Sequence, residues 1–187
     1  MTTSTVVLYG DSMLGRFTKP RIDALEQAVG VPATVLNCAA GGWNSADCAR
    51  RAPALAPLRP DLMVLSLGSN DCAPWKQVPV DAFADHVTEI LAAFSHSYVV
   101  GLLPPVILEV DRPGLGRRRN ADLDRYREVL RAKTEGCVEV DRILAGVTRV
   151  PTLEADGLHL TSSSYDLVVP ALADAMTVGL RAATGRA

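Results

Sequence analysis

Apolar and polar residues alternate along the chain in a way that predicts strands and helices in turn. Short apolar runs rich in β-branched residues are typical of buried strands, and they occupy residues 5–9, 33–37, 62–67, 98–103 and 137–140. Amphipathic stretches typical of helices occupy residues 20–29, 46–56, 81–94, 120–133 and 164–183. The alternation predicts one α/β domain over residues 1–187, built on a doubly wound parallel sheet of five strands.

Local signals predict two helix starts and one long loop. Pro20 suits the first position of its helix, and Asn120 is a predicted N-cap followed by Asp122 and Asp124 in the first turn. The irregular residues 104–119 form the longest predicted loop. A loop of this length in a compact domain is often functional.

Short polar and glycine-containing motifs follow the predicted strands at the points where the strands end. They are Gly10-Asp11-Ser12, Gly41-Gly42, Gly68-Ser69-Asn70-Asp71 and a last loop with Asp156 and His159. Each motif by itself is weak evidence for a site, because turns and helix caps favour the same residue types. In open parallel sheets, however, ligands bind beyond the carboxyl ends of the strands. Four such motifs at one edge of the sheet therefore favour a functional site.

Ser12, His159 and Asp156 have the residue types of a nucleophile, its general base and an orienting carboxylate. A serine hydroxyl is a weak nucleophile until a base takes its proton, and the base imidazole needs a third group to fix its tautomer. The Ser12 amide, a backbone amide at Gly42 and the Asn70 carboxamide are candidate donors to an oxyanion. The residues thus predict an acyl-transfer site with three oxyanion donors.

Arginines and tryptophans near these motifs allow two interpretations each. The run Arg117-Arg118-Arg119 predicts a solvated loop, and the alternative is a contact with an anionic substrate group such as phosphate or carboxylate. Trp43 and Trp75 follow the glycine and asparagine motifs, so they either line an acyl or sugar pocket or pack against the core.

Composition and charge narrow the range of partners. The 187 residues are 48% hydrophobic and 21% charged with a net charge of −2, which is typical of a globular protein and gives no broad cationic surface for nucleic acid. The apolar residues 98–108 contain Pro104-Pro105 and are too few for a membrane span. The N-terminus shows no basic leader with a cleavage site. We therefore expect a cytoplasmic protein that binds no nucleic acid and does not insert stably into a membrane.

The cysteines and the other two histidines give no sign of a cofactor site. His86 lies inside a predicted helix and His96 in the turn that follows, so both are predicted to be surface or packing residues. The cysteines show no CxxC spacing, and a reducing compartment would keep them as thiols; they are Cys38, Cys48, Cys72 and Cys137. We expect neither a metal nor an organic cofactor.

In this order, and over nearly the whole chain, the motifs resemble the blocks of the SGNH or GDSL-type esterase and lipase family. The four blocks are Gly10-Asp11-Ser12-Met13-Leu14, Val35-Leu36-Asn37 running to Gly41-Gly42, Gly68-Ser69-Asn70-Asp71 and Asp156-Gly157-Leu158-His159. Met13 stands where leucine is usual, and the GxSxG turn of larger hydrolases is not present. The resemblance implies a three-layer α/β/α sandwich with a sheet of flavodoxin-like order.

The same resemblance implies a role for each motif residue. The implied roles are nucleophile for Ser12, general base for His159, orienting carboxylate for Asp156, and oxyanion donor for Gly42 and Asn70 beside the Ser12 amide, with Gly41 as the alternative to Gly42.

Hydrolysis of small-molecule carboxylic esters, with short acyl or acetyl groups, is the activity that the resemblance implies. Two alternatives stay open: an acyltransferase or transacylating esterase that passes the acyl group to an alcohol, and a noncatalytic α/β binding module. Acetylated sugars and lysophospholipid-like molecules are both compatible with an open site. The sequence does not indicate the oligomeric state.

Overall fold

Five parallel strands form the central sheet of the computed structural model, which describes residues 3–147 and 150–185. The strands are β1 (Ser4–Gly10), β2 (Ala33–Asn37), β3 (Leu62–Ser66), β4 (Tyr98–Leu103) and β5 (Gly136–Glu139). They pair in the order β2-β1-β3-β4-β5, all in parallel. The predicted five-stranded sheet of flavodoxin-like order is confirmed. Positions 1, 2, 148, 149, 186 and 187, which the predicted domain includes, lie outside the described residues.

Helices cover both faces of the sheet. They are α1 (Ser12–Gly15), α2 (Lys19–Ala28), α3 (Ser45–Leu55), α4 (Val80–Ala93), α5 (Asn120–Lys133), α6 (Val140–Leu144) and α7 (Ser162–Thr184). Helices α2, α6 and α7 pack together on one face, and α3, α4 and α5 pack together on the other. The predicted three-layer α/β/α sandwich is confirmed.

The two central strands are apolar along nearly their whole length because helices cover them on both sides. All five residues of β3 are buried, and so are the last five of β1. Strand β2 lies at the edge of the sheet, where only its central Val35 is buried. This difference is the expected one for a parallel sheet between two helical layers. Strands β1 and β3 pair directly in parallel, so their carboxyl ends lie side by side near the middle of the sheet.

Helix α7 is long and apolar enough, by length and composition alone, to cross a membrane. In this structure its apolar side faces the sheet: Val168, Leu172, Met176 and Leu180 recur every four residues and are all buried. A stripe of this kind is typical of a core helix in an α/β fold.

Two predicted helix starts were wrong. Helix α2 begins at Lys19, one residue before Pro20, and Arg119 rather than Asn120 is the N-cap of α5. The Asn120 side chain instead accepts a hydrogen bond from the Ile107 amide (2.9 Å) and donates one to the Ile107 carbonyl (2.9 Å). Asn120 therefore fastens the long loop before α5 to the start of that helix.

Candidate active site

Ser12 lies in a sharp turn at the carboxyl end of β1. Gly10, the last residue of the strand, has a φ of +138°, a conformation that side chains rarely allow. Asp11 then caps α1, because its carboxylate accepts a hydrogen bond from the Met13 amide at 2.9 Å. Ser12 is the first residue of α1 and is 8% exposed. Its hydroxyl is thus held at the mouth of the sheet.

A continuous hydrogen-bonded chain joins Ser12 to His159 and Asp156. The Ser12 Oγ lies 2.9 Å from His159 Nε2, and His159 Nδ1 lies 2.5 Å from Asp156 Oδ2. With the Nδ1 proton donated to Asp156, Nε2 is free to accept the Ser12 hydroxyl proton. The structure therefore brings the three predicted residues together, although Ser12 and His159 are 147 positions apart in the chain.

Asp156 stays ionised in this arrangement. Partial burial acts to raise its pKa, but hydrogen bonds from the His159 backbone and ring and from the Leu158 backbone outweigh that effect, so the pKa of Asp156 lies well below its ordinary value. The two backbone bonds measure 3.0 Å and 2.9 Å. A fixed carboxylate at this position holds the imidazole in one tautomer and stabilises the imidazolium form.

Ser12, Gly42 and Asn70, which carry the three predicted N–H donors, all line the same cavity. Asn70 is 6% exposed and donates one of its two amide hydrogens to the Trp43 carbonyl at 2.9 Å, a bond that fixes the position of its carboxamide. Within the described part of the chain, the amides of Ser12 and Gly42 donate no hydrogen bond. These groups have the chemistry to stabilise a negative charge that develops on a bound oxygen.

Gly42 and Gly41 differ in what their positions require. Gly42 has a φ of +81°, in the left-handed region that favours glycine. The φ of Gly41 lies outside that region, and no atom of the described residues comes within 4 Å of a Cβ built at Gly41. Both residues line a cavity of about 480 Å³ together with Ser12, Asn70 and His159. The backbone geometry thus singles out Gly42 as the position that needs glycine.

Two buried carboxylates beneath the cavity connect its loops. Asp11 accepts a hydrogen bond from the Ser69 hydroxyl at 2.5 Å, and Asp71 accepts from the amides of Gly68 (3.1 Å) and Ser45 (2.8 Å). Burial raises the pKa of Asp11 to about 6, although the bonds from Ser69 and Met13 lower it, and burial likewise raises the pKa of Asp71. Neither Asp11 nor Asp71 had a predicted role of its own, because an Asp in a turn is fully explained as a helix cap.

The arginine run is not a solvated loop at its centre. Arg118 is 9% exposed, donates from Nε to the Ser69 carbonyl at 2.8 Å, and stacks on the Trp75 ring at 4.6 Å from the ring centroid. Arg112 stacks on the same ring at 5.3 Å. Both arginines line the cavity, so the prediction of a solvated loop was wrong for Arg118. No sequence motif predicted Arg112 as a residue of the site.

Trp43 packs rather than forming a wall of the cavity. Its ring meets the Tyr9 ring edge to face with centroids 6.4 Å apart, and the Arg51 guanidinium covers it at 4.5 Å. Of the two interpretations of Trp43, core packing is confirmed. Its contribution to the site is the backbone carbonyl that holds Asn70.

The remaining histidines and the cysteines lie apart from Ser12. His86 is half-buried and bonds through Nδ1 to the Ser45 hydroxyl at 2.9 Å, and His96 is exposed. The four cysteines are free thiols, two of them buried and two partly buried. The predictions of surface or packing histidines and of cysteines present as thiols are confirmed.

Glu154, Asp156 and His159 have ligand-type atoms within 4.8 Å of one another. Each already has a partner: Glu154 forms an ion pair with Arg16 at 2.8 Å, and Asp156 and His159 bond to each other. These contacts account for the cluster as part of the Ser12 site.

We expect Gly157→Ala to be more destabilising than Gly114→Ala. Both glycines have a left-handed φ, +68° at Gly157 and +75° at Gly114. A Cβ at Gly157 would lie 2.7 Å from Leu108 Cβ, whereas a Cβ at Gly114 would have no atom of the described residues within 4 Å. The Leu108 amide also bonds to the Gly157 carbonyl at 2.8 Å, so Leu108 cannot move away freely. Strain alone costs about 1 kcal/mol, and the added contact should bring Gly157→Ala to about 2–3 kcal/mol. Chemical denaturation of both variants tests this, and equal losses would contradict it.

The fold and the site together define a class: an α/β protein in which a serine, a histidine and a carboxylate make the hydrogen bonds of a serine hydrolase at the carboxyl edge of a parallel sheet. Residues 4–167 match the model of the GDSL-like lipase/acylhydrolase family, and the chain belongs to that family. The predicted family and enzyme class, a carboxylic ester hydrolase, are confirmed.

Solved structures with the same fold span nearly the whole chain. A lipase/acylhydrolase from Enterococcus faecalis superposes with a TM-score of 0.82 at 18% identity, covering 94% of this chain and 96% of that one. The carbohydrate acetylesterase Est24 from Sinorhizobium meliloti has a TM-score of 0.71 at 16% identity (94% and 99% covered). The acetylxylan esterase Axe2 from Geobacillus stearothermophilus has a TM-score of 0.70 at 18% identity (95% and 94%). No curated protein matches the sequence significantly.

Proposed function

We propose that this protein hydrolyses small carboxylic esters with Ser12 as nucleophile, His159 as general base and Asp156 as the carboxylate that orients His159. The observation that carries the proposal is the unbroken chain of hydrogen bonds from Ser12 Oγ through His159 to Asp156, open to a cavity of about 480 Å³. Membership of an acylhydrolase family favours this function over an acyltransferase or a noncatalytic module.

The first half of the reaction transfers the acyl group to the protein. His159 Nε2 takes the Ser12 proton as Ser12 Oγ attacks the ester carbonyl, and a tetrahedral oxyanion forms. The imidazolium, held by ionised Asp156, then gives its proton to the alkoxy oxygen. The carbon–oxygen bond breaks, the alcohol leaves, and the acyl group remains on Ser12.

The second half repeats the chemistry with water. His159 removes a proton from the attacking water, a second oxyanion forms, and the proton on His159 returns to Ser12 Oγ as the acyl–serine bond breaks. The acid leaves and the starting state is restored. In both halves the oxyanion would accept hydrogen bonds from the Ser12 and Gly42 amides and from Asn70.

Asn70→Ala should lower kcat by about 100- to 1000-fold, which is the usual cost of one oxyanion donor. Because a neutral ester carbonyl draws less on these donors than the oxyanion does, KM should change much less than kcat. Steady-state hydrolysis of p-nitrophenyl acetate measures both constants. Thermal unfolding of the variant checks that loss of the bond to Trp43 has not removed the fold. An unchanged kcat in a folded variant would exclude Asn70 as a donor.

The substrate class that we propose is esters with short acyl groups, including acetylated carbohydrates. Two structures of the same fold are named as a carbohydrate acetylesterase and an acetylxylan esterase, and the cavity suits a small ligand. The test is a series of p-nitrophenyl esters from acetyl to dodecanoyl, with release of acetate from acetylated xylan alongside. Highest kcat/KM at acetyl supports the proposal, whereas a steady rise with chain length would overturn it in favour of lipids.

A further inference from the structure

Two arginines line the cavity beside Ser12 without a carboxylate of their own. Arg112 and Arg118 both come from the long loop between β4 and α5. Neither is in an ion pair within the described residues, whereas Arg16 at the same cavity is paired with Glu154 at 2.8 Å. The two cationic side chains are therefore available to a ligand in a way that Arg16 is not.

Arg118 is built into the floor of the cavity. Its Nε donates to the Ser69 carbonyl, its guanidinium carbon lies over the Trp75 ring, and the residue lines the cavity. Burial lowers the pKa of Arg118, and the charge of Arg112 lowers it further, while Asp11 and Asp156 act in the opposite direction. A guanidinium remains charged under such conditions.

Arg112 is more exposed, and its side chain contacts the same Trp75 ring. Two cations on one aromatic ring repel each other. Within the described residues, the carboxylates of Asp11 and Asp156 near Arg118 form no ion pair with Arg112. A negative group placed between Arg112 and Arg118 would relieve this repulsion. Guanidinium groups bind carboxylate and phosphate oxygens through paired N–H donors, which makes such a group the best match.

We propose that Arg112 and Arg118 form a subsite for a negatively charged group on the ester substrate. This inference rests on the proposed function and makes it more specific: the preferred substrates would be esters that carry a carboxylate or phosphate on the acid or the alcohol side of the scissile bond. The charged group would sit between the arginines while the ester carbonyl reaches Ser12 in the same cavity.

Two pairs of esters matched in shape test the subsite. For the alcohol side the pair is 4-acetoxybenzoate and its neutral methyl ester. For the acid side it is the mono-p-nitrophenyl ester of adipic acid and p-nitrophenyl heptanoate. The parent protein should show kcat/KM about 10-fold higher for the anionic member of at least one pair at low salt, because a charge-assisted hydrogen bond contributes on that scale. Raising NaCl to about 0.5 M should reduce that preference.

Arg112→Gln is the informative variant, since Arg112 makes no hydrogen bond to the loops that carry Ser12 and Asn70. It should lower the anionic-to-neutral ratio of kcat/KM about 10-fold, mainly through KM of the anionic ester, and Arg112→Lys should keep part of the ratio. Arg119→Gln is the matched control: Arg119 is exposed, comes from the same segment, does not line the cavity, and its loss changes the net charge equally. The control should leave the ratio at the parent value.

The outcomes separate this inference from the function on which it rests. A ratio near one for both pairs, or equal ratios in Arg112→Gln and Arg119→Gln, would overturn the subsite while hydrolysis of the neutral esters still supports the esterase. If Arg112 only packs on Trp75, its replacement should lower both members of each pair together and leave the ratio unchanged, which also overturns the subsite. Failure of the parent protein to hydrolyse any of the four esters would count against the proposed function itself.

Discussion

Ser12→Ala is expected to lower kcat for p-nitrophenyl acetate by roughly 10⁴- to 10⁶-fold, the range found when a nucleophile is removed from a Ser-His-Asp site. Without the hydroxyl no acyl–serine bond can form, so His159 has no proton to take from the protein. Donors at the oxyanion position would still stabilise attack by water, and they set the residual rate. The same substitution should abolish covalent labelling by a fluorophosphonate probe.

The fold should survive this change. Among the described residues the Ser12 side chain makes one hydrogen bond, to His159, and the cap of α1 is the Asp11 carboxylate rather than Ser12. We therefore expect an unfolding midpoint close to that of the parent. Ser95→Ala is a suitable control because Ser95 is exposed in the turn before β4, at the opposite edge of the sheet. The control should keep full activity and labelling.

Labelling at the parent level in a folded Ser12→Ala protein would mean that another residue is the nucleophile. In the part of the chain that the structure describes, Ser45 is the other serine bonded to a histidine, His86, but it is completely buried. Mapping the labelled peptide would identify the residue directly. Loss of labelling without loss of hydrolysis would instead count against a covalent intermediate on Ser12.

Gly10→Ala is expected to have the largest effect on stability. A Cβ at this position would lie 2.0 Å from the Ser66 carbonyl oxygen, which is part of the neighbouring strand β3. That oxygen also accepts the Asp11 amide at 3.1 Å, so it cannot withdraw without breaking a bond beneath the site. The φ of +138° adds backbone strain for any side chain.

These effects together should cost about 4 kcal/mol or more, a size reserved for substitutions with a severe and identifiable defect. Denaturation by urea and the yield of soluble protein measure the loss. Gly146→Ala is the matched control, because no atom of the described residues lies within 4 Å of a Cβ there and its φ is outside the left-handed region. A Gly10→Ala protein within about 1 kcal/mol of Gly146→Ala would show that the turn relaxes without cost, contrary to this account.

The regular elements show how far local pattern reaches. The strands and the longer helices were predicted within a few residues, since a buried strand or an amphipathic helix leaves a periodic signal over many positions. The one-turn helices α1 and α6 were not predicted, because four or five residues are too few for such a signal. Asn120 was misassigned for a different reason: its side chain bonds to Ile107 across the loop, and a capping preference says nothing about such a competitor.

The candidate site divides in the same way. Ser12, Gly42, Asn70, Asp156 and His159 could be predicted because each lies in a short motif directly after a strand or before the last helix. Their roles as nucleophile, donors, orienting carboxylate and base remain proposals, which the substitutions of Ser12 and Asn70 address.

The sequence by itself determined the α/β class, the number of strands and the motifs at the sheet edge, since these depend on residues close together in the chain. Only the tertiary structure decided that the Ser69 loop joins Asp11 across 58 positions and Arg118 across 49. It also decided that Arg118 is buried at the wall of the cavity rather than exposed to solvent. Burial and pairing of a charged side chain depend on what the folded chain places around it, and a run of three arginines looks the same in either setting. A motif was therefore enough to predict Ser12 as a site residue, whereas the position of Arg112 and Arg118 at the cavity depends on the fold.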